Sequence, residues 1–360
     1  MAERAARERW IAILEGREER WGGERRRRHI FRALAERTGG EIAAGWSWAS
    51  IRPTLGPAGL SIPFIGHVGP RPKLVSGETL DAAVIRRLAR RADLVAVAIY
   101  DDPIPHHAAL GFELAPERAR ALRKRRDANV RAFRWQVMPT LALAELAGLP
   151  LEHIIPGENG TDAEGIRPGV WPEDPAIAFI SGAAPARGIE RLIDAARLIR
   201  DEIPELRLQL WLIATDPRSG AYLASLSESV RRERWIEIDA VRRDDLSFAL
   251  RQATVFCIPH PAHAYWDATL PVKIFDALAA GRPLVVTPRT ETVQLIKRHG
   301  VGVAAAGDTT EDLAEALARL IRDETEAKRI GAVAREVAER VYDWPKVSDR
   351  IASAILEREG

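Results

Sequence analysis

Residues 270–288 read LPVKIFDALAAGRPLVVTP, and the parsing of this stretch decides the fold. Ile274, Phe275, Ala277 and Leu278 recur at helical spacing, so the first half predicts a short helix that packs by its apolar face. Gly281 stops that helix and Pro283 prevents it from restarting. Leu284, Val285 and Val286 then form a short buried strand, which makes the stretch one helix-turn-strand unit of an α/β fold.

Lys273 and Asp276 stand three apart and share the remaining face of the helix. A cation, an acid one turn along and a helix N-terminus suit a phosphorylated sugar nucleotide. Lys273 and the free amides would meet the diphosphate, and Asp276 would accept from ribose hydroxyls. The same spacing also describes an ion pair on a solvated helix. Residue chemistry alone leaves both readings open.

The first half of the chain opens with an apolar strand at 10–14, a loop containing Gly22 and Gly23, a helix over 24–38 and a second strand at 41–46. Residues 49–77, rich in Gly and Pro, read as an irregular loop region. A helix over 81–91 and a buried strand over 92–100 then deliver Asp101, Asp102 and, just beyond, His106. In an open parallel sheet the ligand crevice lies past the carboxyl ends of the strands, which is where these residues fall. Adjacent acids can serve as a general base on an acceptor hydroxyl, with Asp102 ranked first and Asp101 and His106 beside it. Equally, Asp-Asp-Pro can simply open the next loop and cap the helix after it. A helix over 116–136 carries eight basic residues, with Phe133 and Trp135 near its end. This pattern fits either a solvated Arg-rich face or peripheral contact with an anionic membrane.

In the second half, Asn159-Gly160-Thr161-Asp162 is a turn signal placed directly before a second α/β pattern, which marks a domain boundary. A strand over 176–180 runs into a small-residue loop with Gly182, Arg187 and Gly188, followed by a helix over 189–201. Further strands are predicted at 206–213, 235–238 and 254–258. Val241 and Arg242 begin the run, on to Leu246, that opens the next helix.

Taken together, 154–162, 182–188 and 270–288 resemble, in order, the conserved segments of GT-B glycosyltransferases of the group-1 (family 4) type. The last follows a Pro-x-Lys-x-x-Glu-x-x-Ala-x-Gly-x-Pro-Val pattern, with Asp276 in place of Glu. The resemblance implies two Rossmann-like α/β domains facing across a cleft. It places the donor diphosphate on Gly182, Arg187, Lys273 and the amides after Pro271, at Val272 and Lys273. It puts Gly22 and Gly23 near the donor phosphates, the nucleotide base at Val241 and Arg242, and Asp276 on the ribose. Two departures stand out. Ala183 occupies the position of a phosphate-binding Arg, and Ala268 that of the first of two Glu residues spaced eight apart, which bears on the retaining assignment.

Composition sets the outer limits. With 360 residues, 46% hydrophobic and 29% charged, the chain suits two globular domains. A formal charge of +2 and the lack of any recognisable nucleic-acid module exclude a nucleic-acid binder as the first reading. All but six of the 53 basic residues are Arg. The single Cys257 lies in an apolar run and cannot make an internal disulfide. Residues 1–9 lack the apolar core of a signal peptide, so the expected location is cytoplasmic, with the inner face of a membrane as an option.

The expectation is therefore an acceptor-side domain over 1–160, on which a C-terminal helix over 345–360 packs back, and a nucleotide-sugar-binding domain over 161–344. The implied function is transfer of a sugar from a nucleoside-diphosphate sugar to an acceptor hydroxyl, metal-independent and retaining. No cofactor is required; the donor is a substrate, and the acceptor is a glycan, a lipid-linked or a small molecule. A nucleotide-sugar epimerase of the same architecture and a non-catalytic GT-B-like partner subunit are the alternatives.

Overall fold

The computed structural model describes residues 11–14, 22–38, 41–44, 98–99, 108–111, 115–130, 135–214, 216–240 and 245–358. The chain divides into two units. One comprises Met1–His107, Glu113–Asn159 and Trp344–Gly360, the other Ala108–Phe112 and Gly160–Asp343.

In the first unit β1 (Ile11–Leu14) pairs in parallel with β2 (Glu41–Ala44), and the helix Gly22–Thr38 lies between them in sequence. A second parallel set runs in the order β3 (Ala98–Ile99), β4 (Gln136–Met138), β5 (Ile154–Pro156). Parallel neighbours need a crossover, which is what the intervening helices supply. The last helix, Trp344–Glu357, packs on Gly22–Thr38. Trp344, 1% exposed, stacks on the His29 ring at 4.9 Å, and Arg37 pairs with Asp349 at 2.5 Å.

The second unit holds one six-stranded, all-parallel sheet. Its strands are β6 (Ala176–Gly182), β7 (Arg207–Ile213), β8 (Ile236–Asp239), β9 (Val255–Ile258), β10 (Leu284–Val286) and β11 (Gly302–Ala304). Their spatial order is β8-β7-β6-β9-β10-β11. Counted within the unit this is 3-2-1-4-5-6, the doubly wound dinucleotide-binding order, and it puts a topological switch point between the carboxyl ends of β6 and β9. β9 and β10 are buried throughout and read as continuous apolar runs because helices cover both faces of such a sheet. Cys257 sits in β9, fully buried, and burial pushes its thiol pKa up, so it behaves as a small apolar side chain.

The parsing of 270–288 is borne out. The helix is Val272–Ala279 with its apolar residues buried, Gly281 takes a left-handed φ of 67°, and β10 follows at Leu284–Val286. Arg335 closes the far end of that helix by donating to the carbonyls of Ala279 and Ile166, both at 2.7 Å.

Several boundaries differ from expectation. Gly22 and Gly23 lie inside the first turn of the helix Gly22–Thr38 rather than in a loop before it. The basic helix ends at Val130, and Gln136 belongs to β4, its side chain buried among sheet residues. Charges recur all round the sequence of Pro116–Val130, and the residues described at 115–118, 120, 121, 123 and 124 are exposed. The described side chains of this helix form no broad apolar face of the kind an interfacial helix buries. Among the described residues no helix is long and apolar enough to cross a membrane. Of the helix expected to open at Val241, the described part runs over Leu246–Arg251, and residues 241–244 lie outside the described residues.

The helix Glu324–Val337 passes into a π-helical turn, Ala338–Tyr342, which carries the chain to Asp343. That turn presents the Tyr342 hydroxyl to His299 Nε2 at 3.0 Å and the Tyr342 carbonyl to the amide of Thr161 at 2.8 Å. Burial, and secondarily Arg298, lower the His299 pKa. Below the ordinary histidine range the unfolded chain takes up this proton before the folded one does, so the associated stability is full above about pH 6.5 and is lost as pH falls through it. His299→Gln is accordingly expected to flatten the fall in melting temperature between about pH 7.5 and 5.5 in thermal unfolding.

Candidate functional site

Side chains gather where the sheet topology predicts a crevice, past the carboxyl ends of β6 and β9. The loop after β6 turns through a short 3-10 segment, Pro185–Arg187, into Gly188, which adopts a φ of 75°. The carbonyl of Pro259, just after β9, comes so close that a Cβ on Gly188 would lie 1.9 Å from its oxygen. Only glycine permits both the left-handed backbone and the approach of the two loops. Gly188→Ala is expected to destabilise the second unit by about 2 kcal/mol or more, read as a lower melting temperature.

Gly188 is also the N-cap of the helix Ile189–Arg200, with no side-chain cap bond. The helix Val272–Ala279 likewise starts from Pro271 without a side-chain cap. Both helices run back from the carboxyl edge of the sheet, so their first amides and positive dipole ends face that edge. Proline at 271 leaves the cradle at the second helix to the amides of Val272 and Lys273.

Arg187 lies beside the first of these termini. Its guanidinium sits 5.4 Å from the centroid of the Trp266 ring, and a Cβ on Gly182 would be 3.9 Å from its terminal nitrogen. Trp266 in turn stacks on the buried His260 at 4.0 Å. His263 is spoken for differently: its Nδ1 accepts from the amide of Tyr265 and caps the short helix Ala264–Asp267. Ala183 is 2% exposed and gives its amide to Ile213 O at 2.9 Å, so this position serves the sheet edge.

Lys273 and Asp276 form a second group. Lys273 Nζ lies 3.1 Å from Asp276 Oδ2, and the Thr161 hydroxyl donates to Asp276 Oδ1 at 3.0 Å. Both carboxylate oxygens thus have partners within the unit, and the Asp276 side chain is only 4% exposed against 36% for Lys273. No contact among the described residues joins Arg187 directly to Lys273 or Asp276; the two groups approach the carboxyl edge from the β6 loop and from the segment after β9. Asp101, Asp102 and His106, and likewise Val241 and Arg242, lie outside the described residues.

Sequence reasoning misses an ion-paired ring along the same edge. Arg289, 4% exposed, stands just after β10 and pairs with Asp308 after β11 and with Asp267 at 3.5 Å. Arg191 reaches Asp308 at 3.5 Å, so loops from four strands are tied together. The only signal in the sequence is position: a charged residue directly after the Thr287-Pro288 that follows a strand. Trp266 escapes a sequence reading because an aromatic beside two histidines looks like surface loop until its stack is seen.

Comparisons with known proteins agree with this geometry. Residues 174–323 match the family described as glycosyl transferases group 1. The chain is 24% identical over 290 residues to the D-inositol 3-phosphate glycosyltransferase of Kribbella flavida, covering 78% of this chain and 66%, just under two thirds, of that relative's length. In structure it is similar to the sucrose-phosphate synthase of Thermosynechococcus elongatus, with a TM-score of 0.70, 14% identity and 98% of both chains covered. It is also similar to Anabaena Alr3699/HepE, solved in complex with UDP and glucose, with a TM-score of 0.67, 16% identity and 97% of this chain and 100% of that chain covered. The match to the group 1 glycosyl transferases spans residues 174–323, and the chain as a whole takes the GT-B fold of two Rossmann-like domains.

Proposed function

We propose that the protein transfers a sugar from a nucleoside-diphosphate sugar to an acceptor hydroxyl, with the second unit holding the donor. The observation that carries this reading is the pair of uncapped helix N-termini at the carboxyl edge of a 3-2-1-4-5-6 sheet, one beside Arg187 and the other bearing Lys273. Amide dipoles and two cations offer what a diphosphate leaving group needs as its negative charge grows in the transition state. That provision supports a metal-independent reaction. The bound nucleotide of Anabaena Alr3699/HepE supports a nucleoside diphosphate as the donor's leaving group.

Acceptor activation is assigned to Asp102, with Asp101 and His106 beside it in sequence, a few residues past the end of β3 at Ile99. Asp267 and His260, which flank Trp266 at the same edge as Arg187, are placed to meet the donor sugar in the absence of the first Glu of the pattern. A retaining outcome rests on the resemblance rather than on this geometry.

Two measurements test the proposal. UDP, GDP or ADP added in turn should raise the melting temperature, since a ligand of the native state stabilises it by mass action. Donor incubated alone should yield no epimer, and sugar should appear on an added acceptor. Failure of all three diphosphates to shift the transition would overturn the donor site; epimer formed without acceptor would replace transferase by epimerase.

A further inference from the structure

We propose that Thr161 is a positioning residue for the diphosphate-binding Lys273, acting through Asp276; the inference rests on the donor-site reading above. The chain Thr161–Asp276–Lys273 runs from a buried hydroxyl to a half-exposed ammonium. Thr161 is 0% exposed, and its Oγ1 lies 3.0 Å from Asp276 Oδ1. The other oxygen, Oδ2, lies 3.1 Å from Lys273 Nζ. A carboxylate held on one side by a hydroxyl and on the other by an ammonium one helical turn away fixes where that ammonium points. Two of the three donors of Lys273 remain for a phosphate.

Thr161 is itself held in place. Its amide donates to Tyr342 O at 2.8 Å, and it forms a parallel bridge with Asp343. Asp343 Oδ1 accepts from the amide of Ala163 at 3.1 Å, and Tyr342 packs on Phe275 of the same helix at 4.8 Å. The hydroxyl therefore reports a fixed point of the backbone to the carboxylate. Aspartate is the residue that fits this geometry. A glutamate would carry its carboxylate about 1.5 Å farther along the helix surface, away from the Thr161 hydroxyl. Asp276 thus works inward, orienting Lys273, instead of outward on a ribose.

Inorganic pyrophosphate separates these roles, because it has phosphates and no ribose. In calorimetric titration the wild type is expected to bind it, and Lys273→Ala to bind roughly tenfold more weakly or worse. Thr161→Val keeps the volume and removes the hydroxyl; it should weaken pyrophosphate binding by roughly threefold to tenfold, and Thr161→Ser should restore it. Combined with Lys273→Ala, Thr161→Val should add little, since both act through one ammonium. Asp276→Asn gives an independent reading if the valine variant fails to fold: it too should weaken pyrophosphate binding. Wild-type affinity in Thr161→Val or in Asp276→Asn, with Lys273→Ala impaired, overturns the positioning role and leaves the donor site standing. Full additivity in the double variant does the same. Pyrophosphate binding that is absent from the wild type or indifferent to Lys273 removes the donor-site reading itself, and this inference with it.

Discussion

Replacing Arg187 by Ala is expected to slow sugar transfer roughly a hundred- to a thousandfold, the scale seen when one preorganised donor to a developing anion is removed. Diphosphate affinity should fall less, by about tenfold, because part of the contact strengthens only as the leaving group gains charge. The effect is large because the companion position lacks a cation. With Ala183 buried at the sheet edge, the loop after β6 supplies one guanidinium where the family pattern has two cations. Trp266 holds that guanidinium from one side, so Arg187→Lys should recover only part of the rate: an ammonium keeps the charge and loses the flat stacking surface. Steady-state kinetics with varied donor checks this, and equal kcat in wild type and Arg187→Ala would contradict it.

The second large effect is on stability and lies away from the donor. Arg282, 1% exposed, follows Gly281 at the end of the helix Val272–Ala279. Its guanidinium donates to the carbonyls of Leu250, Arg251 and Val170 at 3.4, 2.8 and 3.3 Å and lies 4.5 Å from the centroid of the Trp171 ring. Burial, with help from the nearby Arg251, lowers its pKa to about 10, so it remains charged at neutral pH. Removing this buried cation takes away the guanidinium donor of the Val170 and Arg251 carbonyls, while Leu250 O keeps the Ala253 amide, and the loss costs about 3 kcal/mol. Arg282→Met should therefore lower the melting temperature by roughly 6–12 °C, given 2–4 °C per kcal/mol for a unit of this size. Arg282→Lys should fall between the two. A change of less than about 2 °C would mean that the carbonyls find other donors.

These two arginines show what was legible in the sequence. The helix-turn-strand unit at 270–288 could be read because apolar spacing, Gly281 and Pro283 are local signals, and the structure returns them almost residue for residue. The strands around 176–180, 206–213, 235–238 and 254–258 were legible for the same reason. Arg187 was legible as a site candidate through the resemblance of the 182–188 loop to the family's glycine-rich phosphate loop, in which it stands at the position of a Lys. Arg282 was not, because its meaning comes from carbonyls 31 to 112 positions away in the chain. Nor was the direction of Asp276: spacing put it on the helix face with Lys273, and only the fold brings Thr161, 115 positions away, to its other oxygen. The early end of the basic helix at Val130 and the π-helical turn at Ala338–Tyr342 were missed because polar, Arg-rich and Ala-rich sequences carry little periodic signal at their boundaries.

The central claim is that a nucleoside diphosphate is gripped between the 182–188 loop and the amino end of the helix Val272–Ala279. A crystal structure of the protein grown with UDP, GDP or ADP tests it most directly. The predicted result is phosphate oxygens within hydrogen-bond reach of Arg187, Lys273 Nζ and the amides at 272–273. An ordered nucleotide whose phosphates lie elsewhere on the chain, with Arg187 and Lys273 untouched, would contradict it.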